Sequence, residues 1–287
     1  MHLRKIEACG WVQINKYTHI EDGISSYNNI NIKTKWNNLD PYDNNTIQQF
    51  TIASYDIECF SESGNFPKAT EKSDAIIQIG TVFIRYGETE PFHKNIITLH
   101  GCEQVSGLDD TEIISVKSEK RLLLTWTKLI QKMNPDIITG WNINGFDFKY
   151  MYDRAKMLNI GNEFSKLSKI IGELSTFKET TLTSSALGHN ILTYYEMNGR
   201  IIIDLMKYVQ REYKLNSYKL DFVAAYFLKE PIKSYRTITT ISKKSGSSIT
   251  KTIITTPSIY GIKVGNFINI MWYDKYVDNK HDEKYKI

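Results

Sequence analysis

From Thr51 onward the chain alternates between β-branched or apolar runs and short clusters of turn residues. Runs at residues 51–59, 75–86 and 92–99, each bounded by Gly, Pro or Asn, predict three consecutive strands with an antiparallel start. Next, Ser118 is placed to cap a helix with Glu119 in its first turn and Leu122, Trp126, Leu129, Ile130 and Met133 on one face, ending before Pro135. Asp136 to Gly140 reads as a short buried strand, and Phe148, Met151, Tyr152, Ala155 and Leu158 give a second amphipathic helix. Arg200 to Asp204 predicts another strand, leading into helical segments that end near Leu228, the later one capped by Ser217. Strands followed by strand–helix units predict an α/β fold, a mixed sheet with helices on its faces.

Around this pattern lie segments of different character. Residues 1–50 are polar and Asn-rich, with a short apolar stretch at Trp11, Val12 and Ile14, and read as the tail of another domain. Glu179 to Met197, with Gly188 as its turn, and Thr237 to Thr256, alternating Ile and Thr around Lys243-Lys244-Ser245-Gly246, both resemble hairpins. Neither is patterned for a core. The run Asp278 to Lys284 predicts a charged, frayed end.

Composition narrows the class without naming a function. At 41% hydrophobic and 24% charged residues, the 287-residue chain falls in the range of folded soluble proteins. Its apolar runs, such as Ile201 to Leu205, are far shorter than a membrane span, and the first residues lack the apolar stretch of a secretory signal, so an intracellular location is expected. Cys9, Cys59 and Cys102 are odd in number and widely spaced, which suggests neither a disulfide framework nor a zinc site. The net charge of +4 permits a polyanionic partner without requiring one.

The candidate chemistry lies in the acids. Asp56 and Glu58 stand two apart on a strand, so both side chains leave the same face. Paired carboxylates that lose hydration together are naturally compensated by a shared divalent cation; the alternative is an edge strand with a solvated polar face. Asp147 stands where an apolar strand gives way to a helix, a frequent place for functional groups in open sheets. Its alternative is an ordinary helix N-cap, worth about 1 kcal/mol.

Asp56-Ile57-Glu58 with Gly64-Asn65-Phe66-Pro67, then Asp136 through Gly140-Trp141-Asn142-Ile143-Asn144-Gly145-Phe146-Asp147, resemble motifs Exo I and Exo II of family B DNA polymerases. Gly199-Arg200-Ile201-Ile202-Ile203-Asp204-Leu205 and Arg211 through Leu220 are similar to the delta-type members, cellular and large-virus alike. The resemblance covers about residues 50–230, with a weaker similarity at residues 3–14. It implies a ribonuclease-H-like exonuclease fold with β-rich additions: residues 1–50 as the end of the polymerase N-terminal domain, 51–232 as a 3′-5′ exonuclease domain, and 233–287 as a β-rich insertion and frayed end. It further implies that Asp56, Glu58 and Asp147 ligate two Mg²⁺ or Mn²⁺ ions, that Asn142 contacts a single-stranded DNA 3′ end, and that Phe66 stacks on a terminal base. For Phe66 a core aromatic beside a turn is an equal alternative. The hairpin at 179–197 matches the place of one that helps to separate primer from template.

The family's third motif, Tyr-x-x-x-Asp, does not occur in the chain; Tyr208 with Glu212 and Tyr226 with Glu230 come nearest in form. The polymerase motifs are absent too. The resemblance therefore implies a piece of a polymerase, truncated or encoded in a split gene, working in the nucleus or at a viral replication site, with the remaining polymerase segment and primer-template DNA as partners. Such a piece would have weak or no activity until a second chain completed its site. The competing class is a non-catalytic module binding single-stranded DNA or a polymerase subunit, for which Lys149, Tyr150, Lys207 and Tyr208 are the candidates. A nuclease of the same fold acting on RNA is a further alternative, made less favourable by the delta-like segment ending at Leu220.

Overall fold

The structure is a computed structural model that describes residues 2–21, 23–103, 110–184, 188–241, 248–259, 262–274, 277–280 and 283–287. In its N-terminal segment four short strands, β1 (Trp11–Ile14), β2 (Thr18–His19), β3 (Ile32–Lys33) and β4 (Leu39–Tyr42), form two small antiparallel pairs, β1 with β4 and β2 with β3. Then come β5 (Thr51–Cys59), β6 (Ile76–Arg85), β7 (His93–Leu99), β8 (Thr111–Val116), helix α1 (Glu119–Met133), β9 (Ile137–Gly140), α2 (Asp147–Met157) and α3 (Gly161–Phe164). A hairpin, β10 (Thr176–Ser184) with β11 (Gly188–Glu196), precedes β12 (Ile201–Asp204) and α4 (Leu205–Glu212).

Six strands make one mixed sheet in the order β12-β9-β5-β6-β7-β8. The pairs β5/β6 and β6/β7 are antiparallel, while β9 runs parallel to β5 and β12 parallel to β9. The C-terminal ends of β5, β9 and β12 consequently meet along one edge. β5 alternates strictly: Ala53, Tyr55 and Ile57 are buried, and Ser54, Asp56 and Glu58 are exposed on the opposite face. The buried face packs on Leu122, Trp126 and Ile130 of α1 and on Phe148, Met151 and Ala155 of α2. Each large apolar side chain so enclosed contributes about 1.5–3 kcal/mol relative to exposure. α1 is capped as its sequence predicts, the Ser118 side chain accepting from the Arg121 N–H, and it stops at Asn134 in a left-handed conformation.

Several expectations are corrected. Residues 111–116, to which the sequence pattern assigns no element, form β8, the sheet's edge strand, parallel to β7, with Ile113 exposed. The β10/β11 hairpin forms, but its base enters the core: Tyr195 is 1% exposed and stacks on Phe148 with ring centroids 5.1 Å apart, and Met197 is buried as well. Gly188 opposes Ser184 as the first residue of β11 and is not inside the turn, and residues 185–187 lie outside the described set. Nor does Ser217 cap the next helix. That position falls on Lys219, while the preceding residues are turned back by Tyr218, whose hydroxyl donates to the Tyr213 carbonyl at 2.9 Å.

The chain divides into two compact units, residues 1–218 and 219–287. Within the first unit the N-terminal segment is tied to residues 169–171: the Tyr27 N–H donates to the Lys169 carbonyl and the Ile171 N–H to the Ser25 carbonyl. The second unit contains α5 (Leu220–Phe227), the hairpin β13 (Ser234–Ile241) with β14 (Ser248–Thr255), and strands β15 (Phe267–Ile268), β16 (Met271–Asp274), β17 (Val277–Lys280) and β18 (Tyr285–Lys286). Lys243-Lys244-Ser245-Gly246 lies outside the described residues. β16 pairs with β17 and β15 with β18, which gives the described backbone there its hydrogen bonds. Among the described residues no helix is long and apolar enough to cross a membrane.

Candidate metal centre and nucleic-acid cleft

β9 ends at Gly140 and α2 begins at Asp147, and the loop between them must turn sharply beside β5. At Gly140 a Cβ would lie 2.7 Å from the Tyr55 carbonyl oxygen and 2.5 Å from Ile143 Cγ2, so only glycine allows this approach. Asn142 adopts φ +58°, a conformation Asn tolerates better than most residues. Its carbonyl accepts from the N–H groups of Gly145 and Phe146. A Cβ at Gly145 would overlap the Asn142 side-chain oxygen. The loop is pinned from a third strand: Asp204, at the end of β12, accepts from the Asn142 N–H at 3.0 Å and the Asn144 N–H at 3.1 Å.

This loop and the exposed face of β5 enclose an open cleft of about 380 Å³ lined by Asp56, Phe66, Trp141, Asn142, Gly145, Phe146 and Asp147. Asp147 is only 3% exposed, and its Oδ1 has no hydrogen-bond partner. Burial, followed by the adjacent negative charge of Asp56, pushes its carboxyl up to about 7, against partial relief from the N–H groups of Asp147 itself and Ile57. Asp147 is the first helical residue and Phe146 occupies the cap position, so the N-cap alternative fails. β5 is flanked by β9 and β6, so the edge-strand alternative for Asp56 fails as well.

Glu58 departs from expectation. It shares the exposed face with Asp56 but does not line the cleft, and among the described residues no three His, Cys, Asp or Glu side chains stand close enough to hold one ion jointly. A third carboxylate beside two that already repel gains by keeping its hydration. The sequence predicts three converging acids, and the structure brings two together.

Asn142 and Phe66 both line the cleft. Phe66 is 75% exposed with its ring 5.2 Å from that of Phe146, which excludes the core-aromatic alternative. The loop that carries it is held by α2: the Tyr150 hydroxyl donates to the Asp74 carbonyl at 2.7 Å, and Arg154 donates to the Glu71 carbonyl at 2.6 Å. Arg154 is itself fixed by a buried, two-pronged pairing with Glu119, whose carboxylate also accepts from the Ile76 N–H. One helix therefore positions both Asp147 and the Phe66 loop. Of the residues suited to a pure binding face, Tyr150 is buried and Lys149 is paired with Asp153 at 2.6 Å, leaving Lys207 and Tyr208 exposed. Sequence reasoning misses Asp204 as a functional residue. The signal that finds it is its position directly opposite Gly140 in the parallel pair.

A smaller recess of about 230 Å³, lined by Tyr27, Lys166, Ile170, Ile171, Gly172 and Glu173, lies away from these acids and has a single carboxyl. The paired carboxyls line the larger cleft. Its donors are hard carboxylate oxygens, one of them buried and unpartnered, and they fit a hard divalent cation such as Mg²⁺.

A mixed sheet with helices packed on its buried face and an acid-lined cleft at the strand ends is an α/β, ribonuclease-H-like exonuclease fold. Residues 1–223 match the family described as "DNA polymerase family B, exonuclease domain", and the chain belongs to that family. It is 44% identical over 199 residues to a protein named "DNA polymerase" from Pyramimonas orientalis virus, an alignment covering 69% of this chain and 15% of the viral protein. It is 38% identical over 228 residues to the "DNA polymerase delta catalytic subunit" of Dictyostelium discoideum, covering 78% of this chain and 20% of that protein. The corresponding Drosophila melanogaster subunit is 39% identical over 184 residues, covering 64% of this chain and 16% of that protein. The chain thus spans between 15% and 20% of the length of these curated relatives. Divalent metal use is general to exonuclease domains of this family.

Proposed function

We propose that the chain is the 3′-5′ proofreading exonuclease part of a DNA-directed DNA polymerase, and that its cleft hydrolyses the terminal phosphodiester of a single-stranded DNA 3′ end. The observation that carries this reading is the buried Asp147, with one unpartnered oxygen, set against Asp56. Such a pair is costly without a cation and has no use in a surface that only binds DNA.

Two Mg²⁺ or Mn²⁺ ions would activate the attacking water and stabilise the leaving oxygen of an in-line displacement. Asp56 and Asp147 would hold them, with Glu58 turning in from the same strand face. Asn142 would hold the strand's 3′ end, and exposed Phe66 would stack on the terminal base, a contact every base can make. The partner is primer-template DNA, together with a polymerase segment that supplies the Tyr-x-x-x-Asp motif not found in this chain. The place of work is the nucleus or a viral replication site.

The test is release of nucleotides from a 5′-labelled oligonucleotide by the chain combined with a polymerase segment carrying that motif. Degradation from the 3′ end in Mg²⁺ or Mn²⁺ is expected, far faster than with the chain alone. Equal rates for the wild type and a double Asp56→Ala, Glu58→Ala variant would eliminate the mechanism.

A further inference from the structure

We propose that Asp204 is the positioning residue of this cleft: its carboxylate fixes the backbone of the Asn142–Asn144 loop and thereby the direction of the Asn142 side chain. The backbone half of this statement stands on the structure, and the DNA half rests on the function proposed above.

Asp204 is 6% exposed, and four N–H groups converge on it. Its Oδ1 accepts from Met206 at 3.0 Å and Lys207 at 3.4 Å, which is ordinary capping of α4. The same oxygen also accepts from Asn142 at 3.0 Å, and Oδ2 accepts from Asn144 at 3.1 Å. A helix cap needs one oxygen and its own first turn. The second oxygen and the reach across 60 and 62 residues of sequence are unrelated to capping, and they join the ends of two neighbouring parallel strands.

The loop has reason to need that grip. Asn142 sits at φ +58°, a left-handed conformation disfavoured for any residue with a Cβ, so an outside interaction must favour it over the extended alternative. Hydrogen bonds to a buried carboxylate are among the strong ones, and Asn142 and Asn144 supply two. From a backbone held on both sides of Ile143, the Asn142 side chain reaches the cleft that it lines with Asp147. Asp204 itself does not line that cleft, so its effect on a bound strand would pass through the loop.

Two variants separate the roles. Asp204→Ser keeps a good N-cap for α4 but is too short to reach Asn142 and Asn144. Asp204→Asn keeps one acceptor and turns an N–H toward the loop donors or the helix donors. Amide hydrogen exchange, read residue by residue on the full 287-residue chain without DNA or metal, is the first measurement. In Asp204→Ser the Asn142 and Asn144 amides should exchange at least about tenfold faster, while Met206 and Lys207 stay near their wild-type rates. Unchanged loop amides, or all four amides accelerating together in both variants, would overturn the proposal.

The second measurement is binding of a short 5′-labelled oligothymidylate in Ca²⁺. Asp204→Ser and Asn142→Ala should each weaken it about tenfold, and the double variant should be no weaker than the weaker single one. Losses that multiply would mean that Asp204 does not act through Asn142. Absence of binding by the wild type would count against the proposed function alone, and the exchange rates would still decide the case for Asp204.

Discussion

Replacing Asp147 by Asn should make the metal-free chain more stable near neutral pH while removing one of the proposed metal ligands. The Asp147 carboxyl is pushed from its usual 3.8 up to about 7, by burial first and the Asp56 charge second. Because the folded value lies above the unfolded one, the folded chain holds this proton more tightly. The wild type is therefore most favoured below about pH 4, loses stability as the pH rises toward about 7, and changes little beyond. At about 1.36 kcal/mol for each pH unit of that span, the penalty above pH 7 has a ceiling of about 4 kcal/mol. Asn is neutral and its side-chain oxygen can still accept from the Ile57 N–H, so about half or more of that ceiling should be recovered. Urea unfolding in EDTA at about pH 8 and about pH 5, followed by the fluorescence of the buried Trp126, reads the difference. The gain from Asp147→Asn should shrink to less than half at the lower pH. A variant less stable than the wild type at the higher pH, or a gain equal at both, would refute the electrostatic account of the cleft.

Phe66→Ala should leave stability within about 0.5 kcal/mol, as is usual for a surface substitution, because the ring is exposed. The same change should weaken oligonucleotide binding by the roughly 1–3 kcal/mol that base stacking contributes; equal binding in a fluorescence titration would remove Phe66 from the site. Gly145→Ala should disturb Asn142, whose side-chain oxygen the new methyl would overlap. It should cost about 1–3 kcal/mol of stability along with DNA affinity, measurable by denaturation and binding on one preparation. Glu119→Ala should cost about 3–5 kcal/mol by leaving Arg154 buried without its counter-charge. A thermal melt unchanged from the wild type would contradict the role of that pair in holding the Phe66 loop.

What was legible in the sequence, and what was not, follows from where the information resides. β5, β6, β7, β9, α1 and α2 were readable because each buries one face against a single core, which imposes the period of two or of 3.6 on neighbouring residues. β8 was not, since an edge strand is free of that demand on its outer side. Asp56 and Asp147 stood out by alternation and by the strand-to-helix junction. Their convergence on one cleft could be expected, but not the absence of Glu58 from it, because strand alternation gives the face of a side chain and not its reach. Asp204 looked like one more strand-terminal acid, because its partners are backbone groups 60 and 62 residues earlier, brought near only by parallel pairing of β12 with β9. Tyr195 sat in a Thr-rich stretch read as an external hairpin, and nothing local announces that the base of such a hairpin fills a core.

The central claim is that Asp56 and Asp147 together hold a divalent cation, and calorimetric titration of Mn²⁺ into the metal-free chain tests it most directly. Saturable binding is expected for the wild type and for Asp153→Asn, a surface acid paired with Lys149. The binding should be lost in Asp56→Asn and in Asp147→Asn. Equal affinity and stoichiometry in all four proteins would contradict the account.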